Sequence, residues 1–274
     1  MRKIDNKLSI SDTDVIFNSC NSFSPGDTSK IVSKYKGTIL NESKNYDEYT
    51  PKHLNLYPLT QFGTSEINEI KKLYEDKLTN KKHNARRYYD ILVSNAEKCP
   101  ICGHGTPLEL DHFVPKTLFP QLCITPSNLV PICHTCNFKK GEYFSKNYLE
   151  MPLHPYFDDI GEIWLECDIT FDPTDVNRFR FHCDHCTSPL AKKYRNHLDV
   201  YHFDDVVQGS CCSEISDAKL CHKELLDADR NQLLFDIQLR RRSFEAADLN
   251  SWRSALYRGL ERQFDEYCEY LNKR

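Results

Sequence analysis

The sequence predicts an α+β fold in which a small metal-organised module follows two helices and precedes a hairpin and a helical region. Three observations predict this fold. Apolar residues recur at helical spacing between residues 65 and 97, residues 99–147 are rich in Cys, Pro and Gly, and residues 162–183 alternate apolar and polar side chains. The points at which the sequence pattern changes divide the chain into three parts. These are a polar N-terminal region (1–63), helices plus the metal module (64–156), and a C-terminal region of a hairpin and helices (157–274).

The N-terminal region mixes Ser, Asn, Asp and Lys throughout and contains no recognisable motif. We expect it to be loosely structured, with one or two short elements and a turn at residues 24–27. Two helices follow, over 65–79 with Ser65 as the N-cap and over 84–97. Together they form a wall against which the next segment packs.

The metal module and the C-terminal region supply the remaining elements. In the module, short strands are predicted at 107–113 and 128–132, and a helix from about His134. After it, a hairpin is expected over 162–183 with a turn at 172–175. Three helices are then predicted, over about 188–200, 217–246 and 251–272. Ser188 is the predicted N-cap of the first.

Composition excludes several classes of protein. The chain has 274 residues, 39% of them hydrophobic, which is enough for a core in one large domain or two modest ones. It contains no apolar run near the roughly 20 residues of a membrane span, and no apolar stretch follows the charged start. We therefore expect neither a membrane span nor a signal peptide.

Thirteen cysteines, an odd number, accompany this absence of a secretory signal. The combination predicts a reducing compartment, the cytoplasm, with some cysteines binding metal. Cys99-Pro-Ile-Cys102 and Cys133-His-Thr-Cys136 each present two thiolates from a tight turn. Two such turns supply the four sulfur ligands of a structural Zn²⁺, which contributes on the order of 10 kcal/mol to folding.

The net charge of −4 is unevenly distributed. Residues 81–147 carry nine Lys and Arg against five Asp and Glu, so this segment is basic and the remainder acidic. Within it, Asp111 and His112 are adjacent on a predicted strand and project to opposite faces. That arrangement suits a strand end beside a cleft, where one side chain holds a metal and the other transfers a proton.

The stretch Cys99–Gly141 resembles the HNH endonuclease family, whose ββα-metal core is a hairpin followed by a helix. The resemblance rests on the two cysteine pairs, the Asp111-His112 pair, Asn128 before the second strand, and Asn137 after the last cysteine. Many members have His where this chain has Asn137, although Asn occurs there in active relatives. The resemblance covers about 45 residues and implies a ββα-metal (HNH) core fastened by the four-cysteine zinc site.

This resemblance implies metal-dependent hydrolysis of DNA phosphodiester bonds. His112 is expected to act as general base, and Asn128 to hold the loop after it by hydrogen bonds. Asp111 and the side-chain oxygen of Asn137 are expected to hold a catalytic Mg²⁺ or Mn²⁺. The expected nucleic-acid contacts are Lys116, Lys139 and Lys140.

Several residues have structural alternatives. Asp111 also fits a helix cap or an ion-pair partner, Asn128 a turn residue, and Lys140 a solvated helix residue. His134 is expected to be structural, and His154 is a second candidate to approach the metal. Cys183 and Cys186 have the spacing of a second zinc site without a clear second pair.

The layout is also similar to PtuB-like (Septu-type) nucleases of bacterial antiphage defence, which implies an ABC-type ATPase partner. Two alternative functions remain open. The same core serves an RNA-cleaving toxin, and a zinc module without catalytic activity binds nucleic acid or protein.

Overall fold

A computed structural model describes residues 3–9, 11–21, 33–49, 62–158, 161–172, 174 and 176–273. The protein has the predicted α+β composition, with two small antiparallel sheets among helices. The chain divides into two compact units. The first contains Lys3–Pro100 and Gly105–Asp158, and the second contains Ile101–His104 and Asp159–Arg274.

In the described part of residues 1–63, the one or two elements expected there are two helices, and they are packed into a core. Helix α1 spans Asp12–Asn21 and helix α2 spans Lys36–Tyr49. Each helix buries an apolar side chain completely: Ile16 of α1 and Ile39 of α2 are both 0% exposed. These helices therefore belong to the core of the first unit. The turn predicted at 24–27 lies outside the described residues.

The first helix predicted before the module forms but is not a continuous α-helix. Helix α3 spans Thr64–Lys72 and continues as a π-helical turn over Leu73–Leu78. In an α-helix, Leu73 and Leu78 would point about 140° apart. The wider π turn brings both to the buried side.

The start and end of the predicted helices also differ from expectation. The N-cap of α3 is Gly63, whose backbone N–H donates to the Glu66 carboxylate at 2.9 Å, so the prediction of Ser65 as the cap is wrong. Helix α4 spans only Arg86–Val93. The apolar pattern identified both helices, whereas backbone hydrogen bonds determined their ends.

The strands of the predicted module form an antiparallel pair. Strand β1 spans Glu109–His112 and strand β2 spans Leu129–Ile132, and Asp111 is paired with Val130. Helix α5 follows at once, over His134–Lys140, and ends at Gly141, where φ is +52°. Two strands and a short helix thus follow one another within the first unit.

Two apolar clusters hold this part of the first unit. One contains α1 residues, the π-helical turn, α4 and the inward residue Leu110 of β1. The other surrounds the connection from β1 to β2, with Phe113, Leu122 and Met151 buried against Tyr46 of α2. The strand pair is therefore covered by helices from the N-terminal part of the chain.

The second unit contains the predicted hairpin. Strand β3 spans Glu166–Thr170 and β4 spans Arg178–His182, in antiparallel register. In the connection, Asp172 accepts a hydrogen bond from Thr174 N at 2.7 Å, as in a local Asx turn.

Five helices complete the second unit within the described residues. Helix α6 spans Ala191–Tyr201 and starts three residues later than its predicted cap, Ser188. The others are α7 (Phe203–Ala228), α8 (Arg230–Ala247), α9 (Trp252–Arg262) and α10 (Phe264–Asn272).

Two of these helices begin inside a segment that was predicted to be a single helix: α8 begins inside 217–246, and α10 begins inside 251–272. Asp229 is extended and caps α8, because its side chain accepts a hydrogen bond from Asn231 N at 2.8 Å. Gln263 separates α9 from α10 and bonds the backbone of Ile169 in β3. Polar side chains that bond backbone groups therefore interrupt both helical patterns.

Helix α9 packs closely on β3 at Gly259. A Cβ atom at this position would lie 2.4 Å from the carbonyl oxygen of Cys167, which is much shorter than van der Waals contact. Gly259 is therefore required by the approach of two backbones, not by an unusual φ angle.

A buried histidine joins helices α7, α8 and α10. His222 Nδ1 lies 2.8 Å from the Tyr267 hydroxyl, and Nε2 lies 3.1 Å from an Asp236 oxygen. Burial lowers the pKa of His222, and Asp236 opposes this shift. None of the described helices combines the length and the apolar character that a membrane span requires.

Candidate functional site

The four predicted zinc-ligand cysteines converge. The sulfur atoms of Cys99, Cys102, Cys133 and Cys136 all lie within 4.8 Å of one another, and all four residues are buried. Four thiolates at about 2.3 Å from one ion lie about 3.8 Å apart in a tetrahedron. The thirteen cysteines all lie in the described part of the chain, and none forms a disulfide. This donor set fits Zn²⁺.

Local geometry brings the cysteine pairs into position. After Cys102, Gly103 adopts φ +66°, which turns the chain within the first pair's loop, and Cys99 N donates to Gly105 O at 2.7 Å. Cys133 is the N-cap residue of α5, and Cys136 lies one turn into the helix. The second pair is therefore presented by a helix start, as a short Cys-x-x-Cys spacing favours.

Helix α5 lies along one face of strand β1. Glu109 and Asp111 project from this face, and His134, Asn137 and Lys140 recur every third residue on the helix that covers it. Strand alternation and helix periodicity thus produce a polar cluster of five residues.

Asp111 is bound to a lysine. The Lys140 ammonium lies 2.8 Å from an Asp111 oxygen and also donates to the His112 carbonyl at 2.9 Å. The Lys140 side chain is only 1% exposed. Burial raises the pKa of Asp111, and the charge of Lys140 opposes this shift. Of the alternatives open for Asp111, the ion-pair partner is the one that the structure displays.

Asn137 contacts Glu109, a residue that the sequence analysis did not select. Asn137 Nδ2 donates to Glu109 Oε2 at 2.6 Å, and His134 Nδ1 donates to Oε1 at 2.9 Å. The hydrogen bond from Asn137 is the main cause of a lowered Glu109 pKa, and the hydrogen bond from His134 lowers it further. Glu109 lies two residues before Asp111, so strand alternation alone would have placed both carboxylates on one face.

His112 projects to the opposite, buried face of β1. Its Nε2 donates to the carbonyl of Cys123 at 2.9 Å, so Nδ1 carries the lone pair of the neutral ring. The Tyr74 ring meets it edge-on, with centroids 4.4 Å apart. Burial lowers the pKa of His112 to about 3, and the imidazole is therefore neutral at physiological pH.

Asn128 makes the loop hydrogen bonds expected from its position before β2. Its Oδ1 accepts from Val114 N at 2.9 Å, and its Nδ2 donates to the carbonyls of Val114 and Leu122 at 3.2 Å. These three bonds fix the connection that begins directly after His112.

Helix α2 braces the same connection, which the sequence analysis missed. Ser43 Oγ lies 2.5 Å from Thr125 Oγ1, and Ser127 donates to the Asp47 carboxylate. The recurrence of Ile39, Ser43 and Tyr46 at helical spacing is the only sequence signal for this packing.

The lysines expected to contact nucleic acid differ in environment. Lys116 is partly exposed and lies 3.6 Å from Glu75 and over the Tyr74 ring, and Lys139 is half-buried. Lys140 is buried in its ion pair, so the structure does not present it as a solvated phosphate contact.

The structure also describes the two remaining candidates, His154 and the Cys183/Cys186 pair. His154 is fully buried, 4.0 Å from the Phe113 ring centroid, with Tyr46 OH at 3.3 Å from Nε2. It is packed among aromatic side chains, which include Tyr156 and Phe157. In the described residues, the cysteine quartet is the only group of metal-ligand side chains that converges, so Cys183 and Cys186 form no second site there.

The fold and the site define an α+β protein with a buried four-cysteine group that could hold zinc. Two curated proteins are similar to this chain. Septu protein PtuB of Bacillus thuringiensis is 34% identical over 100 residues, which is 34% of this chain and 38% of PtuB. Protein ea31 of Escherichia phage lambda is 44% identical over 93 residues, 33% of this chain and 31% of ea31.

The chain thus spans about a third of the length of each curated relative it matches. No known family profile matches the chain, and no solved structure matches it significantly.

Proposed function

We propose that this protein is a metal-dependent HNH endonuclease that hydrolyses DNA phosphodiester bonds as an effector of bacterial antiphage defence. The observation that carries the proposal is the cluster of Glu109, Asp111 and Asn137 between β1 and α5, on the strand that also carries His112. The two strands and the following helix beside the cysteine quartet support this reading, because the HNH resemblance implies that arrangement.

His112 is the proposed general base. Its Nε2–H is engaged by the Cys123 carbonyl, which leaves Nδ1 to accept a proton from the attacking water. Asn128 holds the loop after His112, and Tyr74 packs against the ring edge. Both residues restrict the orientation of the imidazole, which is their proposed contribution to the reaction.

The proposed catalytic cation is Mg²⁺ or Mn²⁺, held by oxygen atoms of Asp111, Asn137 and Glu109. Carboxylate and amide oxygens are the ligands that these ions prefer, so the donor set fits. The Asn137 amide nitrogen donates to Glu109, which leaves the amide oxygen as its ligand atom. When bound, such an ion stabilises negative charge on the leaving 3′ oxygen.

Lys140 has a different proposed role from the one expected from the sequence. Its ammonium neutralises Asp111 inside the protein instead of contacting substrate. Lys116 and Lys139 remain the proposed phosphate contacts of this site, because neither is fully buried.

The defence assignment rests on the similarity to Septu protein PtuB. We propose that the chain works with an ABC-type ATPase and that its nuclease activity is silent until infection. Co-purification of the two proteins from cells that express both genes tests this partner.

One observation favours a second candidate, a zinc module without nuclease activity. The Lys140 ammonium already supplies positive charge to Asp111, as it would in a purely structural ion pair. The two candidates make opposite predictions for His112, because a non-catalytic module does not depend on a free imidazole nitrogen.

The decisive experiment is cleavage of supercoiled plasmid and of tRNA with Mg²⁺ or Mn²⁺, by the chain alone and with its ATPase partner. We expect His112→Ala to lower DNA cleavage by about 10²-fold or more. Asn137→Ala should remove metal-dependent cleavage and leave folding nearly intact. His185→Ala, an exposed histidine of the second unit, is the matched control.

Equal cleavage by wild type and His112→Ala would refute the mechanism, and so would inactivity of the wild type in every preparation. Preference for tRNA over plasmid would assign the same core to an RNA-cleaving toxin.

A further inference from the structure

A second polar feature of the first unit lies at the start of helix α4. A surface cavity of about 480 Å³ is lined there by polar and charged side chains. They include Lys81, Asn84, Arg86, Arg87 and Asp90. Three of these residues are cationic and one is anionic, so the lining is positively charged.

The positive charge of this cavity is only partly neutralised. Arg86 Nε lies 2.8 Å from Asp90, and its NH1 donates to the Thr79 carbonyl at 2.7 Å. Within the described part of the chain, Lys81 and Arg87 form no ion pair with a carboxylate. Arg87 lies over the Tyr88 ring, 4.7 Å from its centroid, and donates to the Tyr88 hydroxyl. Two cations are therefore available to an anion in the cavity.

The sequence of α4 increases this positive potential. The helix begins with Arg86 and Arg87, has no acidic residue in its first turn and has no side-chain N-cap. Positive side chains at a helix N-terminus are unfavourable, whereas an anion there is favourable. Arg86 N donates to the His83 carbonyl at 2.9 Å and Tyr88 N to the Ala85 carbonyl at 3.0 Å, so the arginine side chains, rather than free backbone N–H groups, supply the positive charge at this helix start.

We propose that this cavity is a binding site for a phosphate group. Its volume accommodates more than an inorganic ion, since ligand pockets of roughly 300–1,000 Å³ hold small organic ligands. A planar guanidinium binds a phosphate group through two parallel hydrogen bonds, and Arg87 is available for such a contact. The phosphate belongs to a nucleic-acid strand or to a free nucleotide, and the experiment separates these sources.

The position of the cavity favours a nucleic-acid strand, a part of the inference that rests on the proposed nuclease function. Arg86 lies 4.2 Å from the Tyr89 ring centroid, Tyr89 6.4 Å from Tyr74, and Tyr74 4.4 Å from His112. Tyr74 and Tyr89 are buried, so these contacts join the start of α4 to the proposed base through the interior of the first unit. The cavity and the proposed base therefore belong to the same compact unit, and a strand is the first source of phosphate to test.

The test is a binding measurement on the full chain that carries His112→Ala, without added divalent ion, so that cleavage does not contribute. The probes are a short fluorescent DNA, single-stranded or duplex, followed by anisotropy over a range of KCl concentrations. ATP and inorganic pyrophosphate serve as competitors. Lys81→Gln and Arg87→Gln are compared with Lys82→Gln, which removes an exposed neighbouring charge that does not line the cavity.

We expect Lys81→Gln and Arg87→Gln each to weaken binding about threefold. Each should also reduce the slope of log K against log[salt] by about one, whereas Lys82→Gln should change neither quantity. ATP and pyrophosphate are tested for displacement of DNA from the protein with Lys81 and Arg87 intact and from each Gln variant. Displacement from the intact protein alone would assign the site to a free nucleotide. Arg87→Lys keeps the charge and tests the need for the guanidinium fork.

An equal loss for Lys82→Gln and Lys81→Gln would overturn the inference, as would failure of every probe to bind. If plasmid cleavage fails while the cavity variants still lose phosphate binding, the nuclease proposal is refuted and the binding site stands.

Discussion

The buried ion pair between Asp111 and Lys140 gives the sharpest test of the site. Lys140→Met removes the ammonium and keeps most of the side-chain volume. Because the Lys140 and Asp111 side chains are 1% and 12% exposed, the remaining carboxylate would stay in a largely dry environment. Removing one partner of a buried pair costs about 3–5 kcal/mol.

For a unit of this size, that loss lowers Tm by on the order of 10 °C. Thermal denaturation, followed by circular dichroism, measures it. Asp111→Asn/Lys140→Met should recover most of the loss, since no charge is then left buried. Lys146→Met, at an exposed lysine of the same segment, is the control and should leave Tm unchanged.

Added Mg²⁺ or Mn²⁺ connects this test with the proposed cation site. An ion present at about 100 times its Kd stabilises the folded state by about 2.7 kcal/mol. We expect the ion to raise the Tm of Lys140→Met more than that of the wild type, because it replaces the missing positive charge beside Asp111. If the ion shifts both proteins equally, or if Lys140→Met melts with the wild type, the reasoning about this pair is refuted.

Three further predictions concern the cysteine group and the second unit. Cys133→Ser should abolish both stoichiometric zinc binding, measured by mass spectrometry, and cooperative melting, because structural zinc contributes on the order of 10 kcal/mol to folding. Cys221→Ser, at an exposed cysteine, is the control and should change neither property. Equal melting of both variants would contradict the zinc assignment. The pKa of His222 is lowered by burial, so the stability it contributes is present above its unfolded pKa and decreases as pH falls. The free energy of unfolding should therefore drop from pH ~7 to ~5 in urea titrations, and less steeply for His222→Gln; identical slopes would exclude this residue. Gly259→Ala should destabilise the protein by about 1–3 kcal/mol because α9 must move away from β3, whereas Gly209→Ala, with open space around it, should be neutral or stabilising; equal effects would argue against the close contact.

The strengths and failures of sequence-based prediction follow from the range of the interactions involved. The helical spacing of Ile67, Ile70 and Leu73 predicted α3, because periodicity is a local property. It did not predict the π-helical turn, since that turn depends on which side of the helix the rest of the unit covers. The break at Asp229 was missed for a similar reason, because an Asp inside an apolar pattern caps a helix only when the backbone is extended there.

In the candidate site, the sequence indicated the residues but not their partners. Asp111 and Asn137 were expected to share one cation, yet Asn137 bonds Glu109 and Asp111 bonds Lys140. The register between α5 and β1 decides these pairs, and no spacing in the sequence encodes that register. Lys140 resembled any other lysine at a helix end, and only burial distinguished it.

By itself, the sequence determined that two Cys-x-x-Cys turns can surround one ion and that a carboxylate and an imidazole project to opposite faces of one strand. These properties follow from the geometry of short segments. Only the tertiary structure decided that helix α2 braces the connection after His112, that the imidazole is buried and neutral, and that a lysine neutralises Asp111. Such features depend on contacts between residues far apart in the chain, because burial and charge pairing arise only when separate segments exclude water together.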